Sequence, residues 1–256
     1  MKDDREKNKK AQLTIWVILA ILLVVSILML FLINKKPLID NILENEPKVY
    51  IEKCARDYVN DVVDKMLPTG GFVNPVNYKT YNGENITYLC EHIGYYKPCI
   101  NQHPMYLDEM KGEIHGYIFN RIDNCFDELK KVLEKNGNVV TIGEQNISVE
   151  LAPDRIFVKI NRKLTMEKNG QTMKYNEFNA DIKSPLYNLA KIAIEIASQQ
   201  AKFCYFEYVG YMILYPRYSI DVFAMSDSTK IYSIEDRESG KKLNIAIRSC
   251  AIPPGI

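Results

Sequence analysis

Apolar and polar positions recur at two periods along this chain, and one stretch has no period because it has almost no polar positions. Residues 13–33 form a run of 21 without a charge, in which only Thr14 and Ser26 are polar. Wound as a helix, such a run spans about 31 Å, the thickness of a bilayer's hydrocarbon core. The pattern therefore predicts a transmembrane helix over 13–33, with a basic tail over 1–12 and a stalk over 34–46.

Beyond the stalk the helical period takes over. Ile51, Cys54, Tyr58, Val62 and Met66 fall on one face of a helix that starts at Pro47 and stops at Pro68, Gly70 and Gly71. Asp57, Asp61 and Asp64 fall on another face, which reads as solvated surface in preference to a cation site. Residues 72–104 show no sustained period, which predicts a long loop. Its tyrosines Tyr78, Tyr81, Tyr88, Tyr95 and Tyr96 read as a small core of that loop, or else as contact residues for a protein or glycan. Helical spacing returns over 105–135 in Leu107, Met110, Ile114, Ile118, Ile122, Cys125, Leu129 and Val132, with Gly112 and Gly116 weakening its first half, which allows a kink or two shorter helices.

After Gly137 the period drops to two. Short strands are expected at 139–142 and 147–151, then a long strand through Ile156, Val158, Ile160, Leu164 and Met166. Asn169 and Gly170 form a hairpin signal, and the return strand 172–182 changes its apolar parity near Glu177, as a bulge requires. Ser184 and Pro185 open a further helix reaching Lys202. Residues 203–215 are apolar and aromatic around Glu207 and too short to span a bilayer. They read as a buried or interfacial helix, the alternative being a partner-binding or membrane-surface patch. Three strands at 218–225, 230–236 and 242–248 close the chain. The fold class expected is α+β, with helices packed on mainly antiparallel strands: one domain over 47–256, helical over 47–137 and strand-rich over 138–256.

Charge sets the direction of the anchor. Lys2, Arg5, Lys7, Lys9 and Lys10 precede the run and only Lys35 and Lys36 follow it, which places the N-terminus in the cytoplasm and the bulk of the chain outside. Trp16 suits the cytoplasmic headgroup region. The run is too long, and lacks the small residues after it, for a removable secretory signal. Residues 37–256 hold 26 basic and 29 acidic side chains, a balance that offers no footprint for nucleic acid.

All six cysteines, Cys54, Cys90, Cys99, Cys125, Cys204 and Cys250, lie on the exterior side of the run. An even count in an oxidising compartment reads as disulfides. Sequence leaves 15 pairings open; Cys90 with Cys99 would close a short loop, and Cys54 with Cys125, stapling two helices, and Cys204 with Cys250 are then reached only by elimination. An alternative is a tetrahedral zinc site from Cys90, His92, Cys99 and His103. Asn85 and Asn146 each begin a glycosylation triplet.

The chain carries no nucleophile elbow, zinc helix, phosphate-binding glycine loop or calcium loop, so no cofactor and no catalytic residue is assigned. A non-enzymatic reading follows, although dispersed carboxylates could still converge into a hydrolase site.

The junction Lys9-Lys10-Ala11-Gln12-Leu13 resembles an archaeal class III, prepilin-type signal. That resemblance implies cleavage after Ala11 on the cytoplasmic side, leaving Gln12 as the mature N-terminus with the helix retained. Together with Cys54, Gly70-Gly71 and Arg248-Ser249-Cys250, it is similar to uncharacterised single-pass surface proteins of small-genome archaea. The resemblance implies an adhesion, envelope or recognition role, with a surface protein or glycan as partner. A pilin-like filament subunit is the alternative. Against it, pilins carry Glu at the fifth mature position, where this chain has Trp16, and Pro37 and Pro47 break the helix soon after the membrane.

Overall fold

The computed structural model describes residues 18–27, 29, 46–92, 94 and 97–250. Residues 18–27 and 29 are helical. The remainder of the 13–33 run lies outside the described residues, as do the basic tail, Ala11, Gln12, Trp16, almost all of the stalk, Tyr95 and Tyr96. Among the described residues no helix is long and apolar enough to cross a membrane.

From Pro47 onward the chain is α+β, in the order α1 (Pro47–Met66), β1 (Tyr78–Tyr81), β2 (Glu84–Glu91), β3 (Ile100–Asn101), α2 (Tyr106–Lys135), β4 (Val139–Ile142), β5 (Asn146–Ala152), β6 (Arg155–Lys168), β7 (Gln171–Lys183), α3 (Leu186–Phe203), α4 (Tyr208–Leu214), β8 (Tyr218–Ala224), β9 (Thr229–Asp236) and β10 (Lys241–Arg248). The strands make two sheets. The first runs β1-β2-β10-β9-β8, with β3 added against β2; the second has β6 at its centre, with β7 along one edge and β5 and β4 sharing the other. All ladders are antiparallel except that of β2 with β10, so the first sheet is mixed.

The second sheet follows the period-two pattern. Ile156, Val158, Ile160, Phe178, Ala180 and Ile182 point inward onto α1 and α2, while Phe157, Lys159, Asn179 and Asp181 point to solvent. The Asn169-Gly170 turn has positive φ at both residues, 51° and 78°, as its sequence signal predicts. The register shift lies opposite Glu177, but the extra residue is on β6, between Asn161 and Leu164. It sits where the edge partner changes from β5 to β4.

Two expectations are corrected. The supposed loop over 72–104 contains β1, β2 and β3, and β2 is an interior strand of the first sheet. Its residues from Ile86 to Cys90 are all buried, because both faces of this strand are covered, and a strand covered on both faces shows no alternation. Through β2, which pairs with β10, the helical part 47–137 and the strand-rich part 138–256 share the first sheet. Finally, α2 is one 30-residue helix without a break at Gly112 or Gly116. A Cβ at either glycine would meet nothing within 4 Å, so both lie on its open side, and burial of Met110, Ile114, Ile118 and Ile122 outweighs their propensity cost of about 1 kcal/mol each.

One core joins these parts. α3 packs on β10, β2 and β9 of the first sheet and reaches α2 and β5 of the other half. The helix begins at Leu186 with Pro185 as its N-cap, one residue later than Ser184 suggested, and Ser184 Oγ accepts from Leu186 N at 3.3 Å. At the surface Arg217 braces the two sheets. Its Nε donates to Asp236 Oδ1 at 2.7 Å, and its Nη1 to Asp154 Oδ2 in the β5–β6 turn at 3.3 Å. The six cysteines form Cys54–Cys125, Cys90–Cys99 and Cys204–Cys250.

Candidate functional site

The pairing ladders decide which side chains of the first sheet share its outer face. Directly paired residues lie on the same side, so Phe223, Ile231, Ala246 and Tyr88 form one row across β8, β9, β10 and β2. Asp221, Ser233 and Asn244 form the next, and Ser219, Glu235 and Lys242 the one after. On β1, Lys79 stands opposite Ile86 and Tyr81 opposite Glu84.

If flat, the five-strand path from β1 to β8 would hold its ends about 19 Å apart, four interstrand spacings. Instead the edges touch. The Tyr81 and Phe223 rings have centroids 4.9 Å apart, and Lys79 Nζ lies 2.6 Å from Asp227 Oδ2 in the β8–β9 turn. The sheet is therefore curled until β1 and β8 meet across its outer face. Under this closure Ile86, Tyr88, Ile231 and Ala246 form a second small core, in which Tyr88 Oη and Thr229 Oγ1 are 3.0 Å apart.

At the other end the sheet is held open. The chain leaving α1 inserts between β2 and β10: Thr87 N donates to Thr69 O at 3.2 Å, and Asn244 N to Leu67 O at 3.0 Å. Such an approach requires Gly70, at φ +80°, where a Cβ would stand 3.0 Å from Thr87 Cβ and 3.2 Å from Asn244 O. Gly71, at φ +89°, makes room for Tyr106, whose hydroxyl donates to Gly70 O at 2.9 Å. The Gly-Gly turn thus splays two strands of the sheet.

Curling at one end and splaying at the other leave a cleft of about 460 Å³ on the outer face. Tyr81, Val222, Phe223 and Ile231 line its apolar side, and Asn82, Glu84, Asp221, Ser233, Lys242 and Asn244 its polar side. The Asp221–Ser233–Asn244 row supplies a carboxylate, a hydroxyl and an amide side by side over about 10 Å. Lys242 is 3.0 Å from Glu235, so carboxylates outnumber ammonium groups at this mouth. Asp227, which fastens the closed end, feels burial as the larger influence. Hydrogen bonds from Lys79 and from the backbone N–H and hydroxyl of Thr229 nonetheless hold its pKa down at about 2.

The residues singled out in the sequence have other places. Cys90 and Cys99 are disulfide-bonded and offer no thiolate to a metal, and His103 Nδ1 is 2.5 Å from Glu109 Oε2. Among the described residues no group of three or more His, Cys, Asp or Glu converges as a metal site would. Asp61 pairs with Lys65 at 2.9 Å, Asp64 pairs with Lys241, and Asp57 lines a groove of about 430 Å³ beside Cys54–Cys125, so the three aspartates share no site. Asn85 and Asn146 are exposed on β2 and β5. Arg248 is 3.7 Å from Glu91 Oε1, Ser249 Oγ donates to Gln200 O at 3.1 Å, and Cys250 ties down the end of β10: this triplet is structural.

Of the cleft's lining only Tyr81 stands out in the sequence. A signal for its first strands was present, since Asn82 and Gly83 have φ of 51° and 86° and form the same two-residue hairpin turn as Asn169-Gly170. No protein-family model, no curated protein and no solved structure matches this chain.

Proposed function

We propose that this chain is a single-pass, membrane-anchored surface protein whose exterior domain recognises a neutral glycan in the cleft of its curled sheet. The carrying observation is the cleft's composition. Aromatic rings on one wall suit the C–H faces of a sugar, and a row of carboxylate, hydroxyl and amide suits its hydroxyls. The excess of carboxylates disfavours sulfated, phosphorylated or uronic ligands. Glu84 and Asp221 are exposed, without the apolar enclosure that glycosidic acid catalysis draws on, so recognition is favoured over hydrolysis.

Two observations support the address. Ile18, Leu19, Ile21, Leu22, Leu23, Val24, Val25 and Ile27 are all about half exposed, a helix apolar on every side, which is stable only in apolar surroundings. The one polar side chain among its described residues, Ser26, donates to Leu23 O at 2.9 Å. Three disulfides fit an oxidising exterior. Prepilin-type processing between Ala11 and Gln12 belongs to the same reading.

The test is a glycan array probed with full-length protein in nanodiscs. Binding to neutral glycans, weakened about tenfold or more by Asp221→Ala and by Asn244→Ala, is expected, one tenfold step being about 1.4 kcal/mol. Retention on acidic glycans alone, or binding indifferent to both substitutions, would overturn it. Intact mass tests the anchor: a chain starting at Gln12, with thiols alkylated only after reduction, is the expected result.

A further inference from the structure

The segment 203–215 is neither a buried helix nor part of the cleft. α3 ends at Phe203, Cys204 takes the left-handed cap at φ 56°, and α4 follows as seven residues with none buried. One side of α4 is occupied: Tyr208, Tyr211 and Met212 pack on the core, and Met212 Sδ accepts from Ile220 N at 3.1 Å, covering the edge of β8. The other side faces solvent. Val209, Ile213 and Leu214, with Phe203, Tyr205 and Tyr215 around them, are exposed, Ile213 and Leu214 by 76 % and 75 %. A contiguous apolar surface of this kind marks a contact.

We propose that this face rests in the interface of the bilayer that the N-terminal run enters, an inference that builds on the membrane anchoring proposed above. Three observations favour lipid as the occupant. First, 13 residues separate the run from Pro47, which keeps the start of the domain within about 45 Å of the membrane even when fully extended. Second, aliphatic side chains flanked by Phe and Tyr are what an interfacial helix presents, and the charges nearby are already engaged. Glu207 accepts from Gly210 N at 3.2 Å and from the Tyr205 hydroxyl, and Lys202 Nζ lies 4.8 Å from the centre of the Phe203 ring. Third, the geometry is useful. Tyr218 and Ile220 of β8 face the core on which α4 packs, whereas Asp221 and Phe223, of the other parity, line the cleft. Laying α4 on lipid turns the cleft away from the membrane, toward whatever the cell meets.

The experiment uses the full-length chain in phosphatidylcholine–phosphatidylglycerol vesicles containing lipids brominated near the headgroup. Tryptophan is moved from its single native position: Trp16→Phe is combined with Ile213→Trp or, as a control, with Val76→Trp, a 96 % exposed position. Ile213→Trp is expected to lose about half of its emission and Val76→Trp almost none. If protein that floats with the vesicles after an alkaline wash keeps Ile213→Trp unquenched, the proposal is overturned. A blue-shifted but unquenched Ile213→Trp that depends on the protein-to-lipid ratio overturns it in favour of a second copy. Protein that does not float, with native Trp16 unquenched as well, shows instead that the anchoring reading has failed, and the inference falls with it. Ile213→Asp with Leu214→Asp, which leaves the core untouched, should keep flotation and release the domain from the surface, read as greater protease access to residues 203–215.

Discussion

The two sheets of this domain solve the same problem in opposite ways. The second gives one face to the helices and leaves the other to water, and its outer face is a ladder of charges such as Lys159 Nζ with Glu177 Oε2 at 2.7 Å. The first gives one face to α3 and folds the other upon itself, burying Ile86, Tyr88, Ile231 and Ala246 where solvent would otherwise be. A face that water covers needs no shape, whereas a face that must cover itself acquires curvature, and curvature makes a cleft. The difference puts the cleft on the first sheet, where the proposed recognition would take place, and leaves the second without one of that origin.

Four measurements would break or sharpen that contrast. The largest effect is expected where the sheets are braced. Arg217→Met leaves Asp236, whose side chain is 1 % exposed, as an uncompensated charge, and should lower stability in urea by about 3–5 kcal/mol. Burial raises the pKa of Asp236, but hydrogen bonds from Arg217 and Ser239 outweigh it, and the net shift is downward from 3.8. Because the folded value lies below the unfolded one, the brace contributes fully above about pH 4 and is lost as pH falls through the folded pKa.

Next come the outer faces themselves. Ile86→Ala, at a position with no exposure, should cost about 2–4 kcal/mol, whereas Phe157→Ala on the outer face of the second sheet should cost less than about 1 kcal/mol. Equal losses would contradict the idea that only one of these faces forms a core.

A smaller effect tests the closure of the cleft. Asp227 has its pKa depressed from 3.8 to about 2, so the Lys79 contact should survive acidification through pH 4 and open only as pH approaches 2. Asp227→Asn should make Tyr81 fluorescence independent of pH across that window, while the wild type reports the opening. The smallest effect is Lys159→Met. Both partners of this pair are exposed, and the unfolding midpoint should not move measurably.

How much of this was legible in the linear chain depends on whether the relevant periodicity survived. For β5, β6 and β7, the hairpin at Asn169-Gly170 and the stripe of α2, it did, because each element has one face in water. For β2 it did not: Ile86, Thr87, Tyr88, Leu89 and Cys90 are buried on both faces and read as an aperiodic run. The parallel partner of β2 is more than 150 residues away in β10, beyond the reach of any local pattern.

Residue order alone determined the elements whose signal is local: the apolar run 13–33 as a candidate anchor, the helical stripes, the turns, and the even set of cysteines. Tertiary structure alone decided which residues form a site. Glu84, Asp221, Phe223, Ser233, Lys242 and Asn244 are unremarkable polar and aromatic positions on strands far apart in the chain, and they converge only because β2 joins β10 and the sheet curls until Tyr81 meets Phe223. The exposure of α4 was likewise beyond sequence. An apolar segment is equally consistent with a core or a contact surface until the rest of the fold has used, or left unused, each of its faces.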